Sequence, residues 1–399
     1  MKVGIDFTNI SEKVGGGYTF ENEIFTAFLE EAHLSTHDYT IFSNNSNIEK
    51  AISRFNLSNV HFVRDPERGL VQRGLKRAFS LLGHIFPKLY RRNESPYRKY
   101  QIDIVLFFSP LRPALDLPYI TTVWDLEHRK QPWFPEVSNI GEWCSREKGY
   151  LDTLGRASFI LTGTECGKKE IMRFYTIPPD RIRVIPFPTP RFALNGINKV
   201  TTTNAVNKYG IQGEYLFYPA QFWAHKNHIN LLYSLKLLHE RYGVKLSLVL
   251  VGSDKGNLTH VQKVIGELGL SNYIYFLGFV SQEEVIDLYK NALALVFVSF
   301  FGPDNLPPLE AFALGCPVVA ARIPGSNEQL GDAALCVDPK NPEEIAHAVY
   351  LLYSDKQLRN QLIQKGFLRA IEWKGDDYIR AIFSLLDEFE HIRLCWDRS

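Results

Sequence analysis

Short apolar segments alternate with amphipathic helical segments along most of this chain, and no other feature limits its fold as strongly. A helix between two strands returns the chain to the same end of a sheet, so that successive strands lie parallel. The apolar segments are residues 2–7, 39–42, 60–63, 104–108, 119–123, 159–162, 183–185, 215–218, 246–251, 274–277, 294–298, 317–320 and 334–337. The pattern predicts an α/β protein whose parallel sheets are covered by helices on both faces.

Length and loop composition predict two domains. A chain of 399 residues is long for one hydrophobic core. Residues 186–208 are rich in proline and asparagine and lack periodicity. We predict doubly wound domains at 1–190 and 209–370, a linker at 191–208, and a helix at 371–399 that packs back toward the first domain. Ligands of such folds bind at the carboxyl ends of the strands, here in the cleft between the domains.

Composition argues against a nucleic-acid-binding, metal-binding, secreted or membrane-spanning protein. The chain is 45% hydrophobic and 22% charged with a net charge of +1, which argues against wholesale nucleic-acid binding. Five scattered cysteines form no metal-ligand spacing, which favours a reduced, cytoplasmic protein without metal or cofactor. There is no signal-peptide pattern and no apolar run of membrane-spanning length.

Residues 299–319 carry the strongest functional signal. A strand end is followed by a turn at 302–305 and by a helix that opens with Pro307 and Pro308. Free N–H groups and the helix dipole at such a start favour an anion. Glu310, one turn further on, is placed to accept hydrogen bonds from sugar hydroxyls. The segment therefore predicts a nucleotide-sugar pocket.

Two other strand ends point to the same pocket. Lys226 follows the strand at 215–218, where a cation can face a diphosphate. Gly278 and Phe279 follow the strand at 274–277, where a nucleotide base could approach the backbone and a ring. Alone, each is equally well a solvated lysine or a turn glycine. Their recurrence at successive strand ends favours one shared site.

The segment 302–311, GPDNLPPLEA, resembles the E-x7-E motif of GT-B glycosyltransferases of the retaining family 4. The resemblance implies two Rossmann-like domains facing across a cleft, with Glu310 binding the nucleotide ribose. Gly302 stands where the family has its first glutamate, and Asp304 is the candidate to replace that contact with the donor sugar. The amides of Asn305 and Leu306 would hold the distal phosphate.

The resembling family has an arginine and a lysine after the first strand of its second domain, and only the lysine is present here. Lys226 matches its lysine, whereas Gln221 stands where arginine is usual. Lys226 would then carry most of the charge that stabilises the leaving diphosphate, with Gln221 also lining the donor site. Arg322 is a possible second cation, but the favoured alternative is a surface arginine.

The first half contributes a glycine loop. Residues 14–18, VGGGY, follow the first strand and precede a helix, but do not have the spacing of a Rossmann fingerprint. The resemblance places Gly16 and Gly17 at the donor phosphates and Tyr18 at the acceptor. The alternative is a mobile turn.

Residues 121–129, TTVWDLEHR, resemble the HDLQH-type stretch of the family. Trp124 replaces the histidine that touches the donor sugar, and Asp125 and His128 match. Asp125 is the candidate for orienting the acceptor or stabilising charge at the anomeric carbon. Trp124 and His128 are assigned to the acceptor site, His128 with less weight. Thr164 matches a position that caps the following helix.

Residues 68–92 contain basic and apolar side chains at near-helical spacing and no acidic residue. Such a helix can lie on an anionic membrane surface, which suggests a lipid-linked acceptor. The alternative is a helix packed on the first domain with a solvated basic face.

The resemblance implies a retaining, metal-independent hexosyltransferase of polysaccharide biosynthesis. Its catalytic residues would be Asp125, Lys226 and Glu310. GDP-mannose is favoured weakly as the donor over a UDP-sugar, and the acceptor is a hydroxyl of a glycan or lipid-linked glycan. Two alternatives stay open: a nucleotide-sugar epimerase of the same fold, and a catalytically idle binding protein that has lost residues at Gly302, Gln221 and Trp124.

Overall fold

The computed structural model of the protein describes residues 1–7, 15–64, 95–197, 204–302 and 304–396. Val14 and the basic segment 68–92 lie outside these ranges, so the membrane-surface helix stays a prediction. Within the described ranges, no helix combines the length and the apolar character that are needed to cross a membrane.

Two parallel sheets form the framework of the molecule. The strands of the first are β1 Lys2–Asp6, β2 Asp38–Phe42, β3 Val60–Val63, β4 Ile104–Phe107, β5 Tyr119–Thr122, β6 Phe159–Thr162 and β7 Ile182–Val184. The strands of the second are β8 Tyr215–Pro219, β9 Ser247–Val251, β10 Ile274–Gly278, β11 Ala294–Phe297, β12 Val318–Ala321 and β13 Ala334–Val337. The orders are β3-β2-β1-β4-β5-β6-β7 and β10-β9-β8-β11-β12-β13. The predicted fold class, two doubly wound parallel-sheet domains, is confirmed.

Helices cover both sheets. Those of the first half are α1 Gly16–Glu31, α2 Ser46–Phe55, α3 Ser95–Lys99, α4 Glu127–Lys130, α5 Pro135–Ser138, α6 Glu142–Leu154 and α7 Glu165–Tyr175. Those of the second half are α8 Arg191–Gly196, α9 Ala205–Lys208, α10 His228–Arg241, α11 Leu258–Glu267, α12 Gln282–Asn291, α13 Leu306–Ala313, α14 Ser326–Leu330, α15 Pro342–Ser354, α16 Lys356–Glu372 and α17 Gly375–Arg393.

The central strands explain the continuous apolar runs of the sequence. Every residue of β4 and of β11 is buried, because helices cover both faces of a parallel sheet. β10, at the edge of the second sheet, is only partly buried. The apolar runs are therefore strongest in the strands that lie at the centre of each sheet.

In the segment 191–208, predicted as a linker, the described residues 191–197 and 204–208 are more ordered than its composition suggests. It contains the short helices α8 and α9, whose Ala193 and Ala205 are buried in the core of the second domain. Small side chains at these two positions let the helices pack closely against that core. The second domain thus begins structurally near residue 191.

The chain crosses between the two domains twice, at neighbouring places. Thr189 donates its backbone N–H to Trp373 O at 3.1 Å, and a β-bridge joins Thr189 to Lys374. After the second crossing, α17 packs against α1, and its Tyr378 and Leu386 are buried in the core of the first domain. The two crossings form a hinge on one side of the cleft.

Candidate active site between the two domains

The two domains face each other through the loops that follow their strands. Gln131 Nε2 of the first domain donates to Phe300 O of the second at 2.8 Å. On another part of the cleft, a β-carbon at Gly15 would lie 3.5 Å from Gln221 Nε2. The glycine loop therefore approaches the position at which the family usually has an arginine, which brings Gly15 and Gln221 together from opposite domains.

Lys226 is the principal cation of the cleft. It ends the short turn Ala224–Lys226 after β8, and its Nζ lies 5.0 Å from the centre of the Phe297 ring. Burial lowers the pKa of Lys226 to about 8, while the carboxylates of Asp125 and Glu136 raise it. Among the described residues, no carboxylate forms an ion pair with this ammonium group. A partly desolvated cation in this state is suited to binding an anion.

Glu310 lies on α13 and is buried beneath the cleft. The Tyr289 hydroxyl donates to its Oε2 at 2.9 Å. Burial raises the pKa of Glu310 to about 7, and the hydrogen bond from Tyr289 opposes the rise only in part. The role of Glu310 in binding the nucleotide ribose stays a prediction.

Asp125 follows β5 and faces the second domain. Arg146 donates to its Oδ1 at 2.8 Å, and the backbone N–H of Glu127 donates to the same atom at 3.0 Å. Burial raises the pKa of Asp125, but the charge of Arg146 and the Glu127 N–H outweigh this and hold it below its usual value. Asp125 is therefore an ionised, oriented carboxylate. Arg146 was not identified from the sequence, because it lies on α6, a separate element.

A contact between Glu136 and His225 closes one wall of the cleft and was also missed. Glu136 Oε1 accepts the backbone N–H of His225 at 2.7 Å and contacts its ring Nδ1. The His225 ring stacks on Phe301 with centroids 4.1 Å apart, and Phe134 packs edge-on against the same Phe301 ring. These contacts place a carboxylate of the first domain against the turn that carries Lys226. No local sequence signal identified either partner.

The start of α13 is a weaker anion site than the sequence suggested. Pro307 and Pro308 lack N–H groups, so only Leu306 and Leu309 contribute N–H groups to the first turn. The amide of Asn305 already donates to Gln329 Oε1 at 3.0 Å. Leu306 is buried in the core of the first domain. The structure therefore gives no support for the Asn305 amide as a phosphate ligand.

Both carboxylate oxygens of Asp304 accept hydrogen bonds at the hinge. Its Oδ2 accepts the backbone N–H of Phe187 at 3.1 Å, and its Oδ1 accepts from Gln329 Nε2 at 2.6 Å. It lines an interdomain cavity of about 250 Å³ together with Gly163 and Arg369. Burial raises the pKa of Asp304 to about 7, with a further contribution from the charge of Glu328. The prediction that Asp304 replaces the first glutamate is not supported, because both carboxylate oxygens are bound in the hinge.

Arg322 does not supply a second cation. Its guanidinium contacts Glu344 and donates to Cys336 O at 2.7 Å. The side chain is exposed, and its charge is paired. The alternative interpretation, a surface arginine, therefore fits the structure.

The base and phosphate ends of the predicted donor site are open. Gly278 ends β10 with a φ of +65° and a β-carbon there would meet nothing within 4 Å. Phe279 is 71% exposed. Gly16 begins α1 with open space on its side-chain face, and Gly17 and Tyr18 lie in the same first turn. Their assignment to the donor and acceptor sites stays a prediction.

Trp124 and His128 were both predicted at the acceptor site, and the assignment of Trp124 stays a prediction. Trp124 packs edge-on against Phe20 and Phe187, and its buried Nε1 has no acceptor among the described residues. His128 is wholly buried, with its Nε2 3.2 Å from Glu147 Oε2. His128 cannot contact an acceptor in this arrangement, so its assignment to the acceptor site is not supported.

Thr164 has the structural role that was considered for it. It is the N-cap of α7, and its side-chain oxygen accepts the backbone N–H of Gly167 at 3.0 Å. Such a cap satisfies one of the helix N–H groups that have no partner within the helix.

Comparison with known proteins finds similarity to glycosyltransferases. Residues 202–369 match the family described as glycosyl transferases group 1. The O-antigen chain mannosyltransferase B of Escherichia coli is 26% identical over 236 residues, which cover 58% of this chain and 61% of that protein. The O-antigen chain mannosyltransferase RfbU of Salmonella typhimurium is 28% identical over 194 residues, or 49% of this chain and 50% of that protein. The matches thus span about half to three fifths of these relatives.

Solved structures agree over nearly the whole chain. The sucrose-phosphate synthase of Thermosynechococcus elongatus has a TM-score of 0.73 at 16% identity and covers 98% of this chain and 99% of its own. Anabaena HepE, solved in complex with UDP and glucose, has a TM-score of 0.68 at 15% identity, with 97% and 100% covered. Residues 202–369 therefore match the model of the glycosyl transferases group 1 family, and the chain as a whole has the GT-B fold.

Proposed function

We propose that the protein transfers a hexose from a nucleoside diphosphate sugar to a hydroxyl of a glycan or lipid-linked acceptor, with retention of configuration and without a metal. The observation that carries this proposal is the state of Lys226. It is a partly desolvated ammonium group at a strand end of the second domain, without a carboxylate ion pair among the described residues. An incoming diphosphate would supply the missing negative charge.

Three residues divide the work in this proposal. Lys226 stabilises charge on the leaving diphosphate, and Glu310 exchanges hydrogen bonds with the ribose hydroxyls. Asp125, kept ionised by Arg146, faces the sugar and favours positive charge at the anomeric carbon. Contacts across the cleft at Glu136 and His225 keep water out and so oppose hydrolysis.

The proposed sugar donor is chosen from the names of similar proteins and the ligands in similar structures. The curated relatives of E. coli and S. typhimurium are named as O-antigen mannosyltransferases. HepE has been solved with UDP and with UDP-glucose. We favour GDP-mannose for this chain and keep UDP-glucose as the main comparison.

The test is to incubate the purified protein with GDP-mannose, UDP-glucose and other nucleotide sugars. Slow release of the nucleoside diphosphate and free sugar is expected from one donor. Conversion of the sugar without release would indicate an epimerase. Saturable binding without turnover would indicate an idle binding protein.

Two substitutions connect the activity to the site. Lys226→Ala and Glu310→Ala each remove a charged contact, so donor affinity should fall by about 1.5–3 kcal/mol, roughly 10- to 150-fold. Lys263→Ala is a matched control, because Lys263 is exposed on α11 and pairs only with Glu267 among the described residues. Unchanged donor affinity in both site variants would show that the pocket has been placed wrongly.

A further inference from the structure

Glu136 has one carboxylate oxygen without a partner. Its side chain is only 6% exposed, and Oε1 is bound by the backbone N–H and ring of His225. Oε2 is buried and accepts no hydrogen bond from any described residue. Leaving a buried carboxylate oxygen without a donor is costly, so this atom is expected to acquire one in the working state of the protein.

The carboxylate is ionised despite its burial. Burial raises the pKa of Glu136, but the hydrogen bonds from the His225 ring and N–H outweigh it and hold the pKa below its usual value. An ionised carboxylate only accepts hydrogen bonds, so the partner of Oε2 must be a donor. A diphosphate has acceptor oxygens and negative charge, and it would be repelled.

Glu136 lies near the turn at Gly302, where the resembling family has a glutamate and this chain has no acidic side chain. It is close enough to Lys226 to raise the pKa of that lysine. His225, which it binds, stacks on Phe301, the residue before Gly302. Gly302 has a φ of +85°, and a β-carbon there would lie 2.7 Å from Asn305 Nδ2. The positive φ therefore disfavours a side chain at the position where the resembling family has a glutamate.

We propose that Glu136 Oε2 accepts a hydrogen bond from a hydroxyl of the donor hexose, so that the first domain supplies the acidic group that the turn at Gly302 lacks. This inference rests on the proposed function. A sugar hydroxyl is a neutral donor and can approach both Glu136 and the cation of Lys226. Because Glu136 belongs to the first domain, recognition of the sugar depends on closure of the cleft.

The test uses calorimetric titration to measure how tightly each variant binds a nucleoside diphosphate and the corresponding nucleotide sugar. Wild-type protein, Glu136→Gln and Glu142→Gln are titrated with GDP and GDP-mannose, and with UDP and UDP-glucose. Glu142 is an exposed residue at the start of α6 and serves as the control. The readout is the ratio of nucleotide-sugar affinity to nucleotide affinity for the base that binds.

Glu136→Gln keeps one oxygen that can accept the His225 N–H. The other carboxylate oxygen becomes an NH2 group, which donates hydrogen bonds and cannot accept one from a sugar hydroxyl. Nucleoside diphosphate affinity should stay within about twofold, which also shows that the variant is folded, and nucleotide-sugar affinity should fall roughly 10- to 100-fold. Glu142→Gln should change neither.

An equal loss for both ligands would overturn the proposal, because Glu136 would then act only as a contact between domains. Unchanged binding of both ligands would overturn it as well. If the wild-type protein binds neither nucleotides nor nucleotide sugars, the proposed function itself fails. That result differs from failure of the Glu136 assignment alone, in which the wild-type protein still binds its donor.

Discussion

At the scale of single residues, burial in the cleft has shifted the pKa values of two ionisable side chains, Lys226 and Glu310. Lys226 is less basic than a solvated lysine, and Glu310 is less acidic than a solvated glutamate, because the charged form of each is poorly hydrated. Both shifts occur on the face where strands of the second sheet end. A ligand that restores charge or hydrogen bonds to these groups gains the free energy that burial costs them in its absence.

The pH dependence of donor binding follows from Lys226. Its ammonium form binds the diphosphate, and its pKa in the free protein is about 8. As pH rises through 8 the ammonium form is lost, so the dissociation constant of the nucleoside diphosphate should rise, approaching tenfold per pH unit. Titrations between pH 6.5 and 9.5, a range of about three units around this pKa, measure the effect.

Lys226→Arg provides the control for this prediction. Arginine stays charged throughout this range, so the variant should bind with little dependence on pH above about 8, where Glu310, whose pKa is about 7, has already lost its proton. If the wild-type protein and the variant share the same pH profile, another group titrates and the assignment to Lys226 is wrong.

At the scale of elements, the hinge depends on a close fit between a glycine and a carboxylate. Gly163 follows β6, and a β-carbon at this position would overlap Asp304 Oδ2. Asp304 in turn accepts the N–H of Phe187, next to the first crossing between domains. The missing side chain at Gly163 is therefore what allows the turn before α13 to dock on the first domain.

Gly163→Ala should displace Asp304 from the Phe187 N–H. We expect a loss of about 1–3 kcal/mol in the free energy of unfolding, measured by chemical denaturation. Gly155→Ala is the control, since Gly155 has helical dihedral angles and a β-carbon there would meet nothing within 4 Å.

A double-mutant cycle identifies the contact. In an Asp304→Ala background the carboxylate is gone, so Gly163→Ala should cost much less than it does alone. Equal costs in both backgrounds would mean that the alanine side chain clashes with something other than Asp304.

At the scale of the whole molecule, the second crossing joins the end of the chain to the first domain. The apolar face of α17 is buried against α1 and is part of the first hydrophobic core; its buried residues include Tyr378, Ile379, Ile382, Phe383, Leu386 and Phe389. The two domains are thus held together by this helix as well as by the hinge.

Leu386→Ala should destabilise the first domain by about 2–5 kcal/mol, because Leu386 is 0% exposed and its loss leaves a cavity. Leu394→Ala, at a position that is 76% exposed just beyond the same helix, should change stability little. Thermal unfolding followed by circular dichroism compares the two. Similar midpoints for both variants would show that α17 contributes little to the core.

The sequence alone determined the two sheets and their parallel strands. Its motifs also named Asp125, Lys226 and Glu310 as candidate catalytic residues, which stay predictions. Apolar periodicity is local, so all thirteen predicted strands appear within one residue of their predicted ends in the described chain. Lys226 and Glu310 follow strand ends, and the topology of parallel sheets brings such positions to one edge.

Only the tertiary structure decided which polar groups meet. Glu136 and His225 are 89 residues apart in the chain, and Asp304 and Phe187 are 117 apart. Such pairs leave no local pattern, because each depends on how the domains pack. For the same reason Asp304 was expected at the donor sugar but lies in the hinge, and His128 was expected at the acceptor but is buried. The backbone pattern specifies the edge of the sheet where a ligand binds, whereas packing between distant segments decides which side chains reach it.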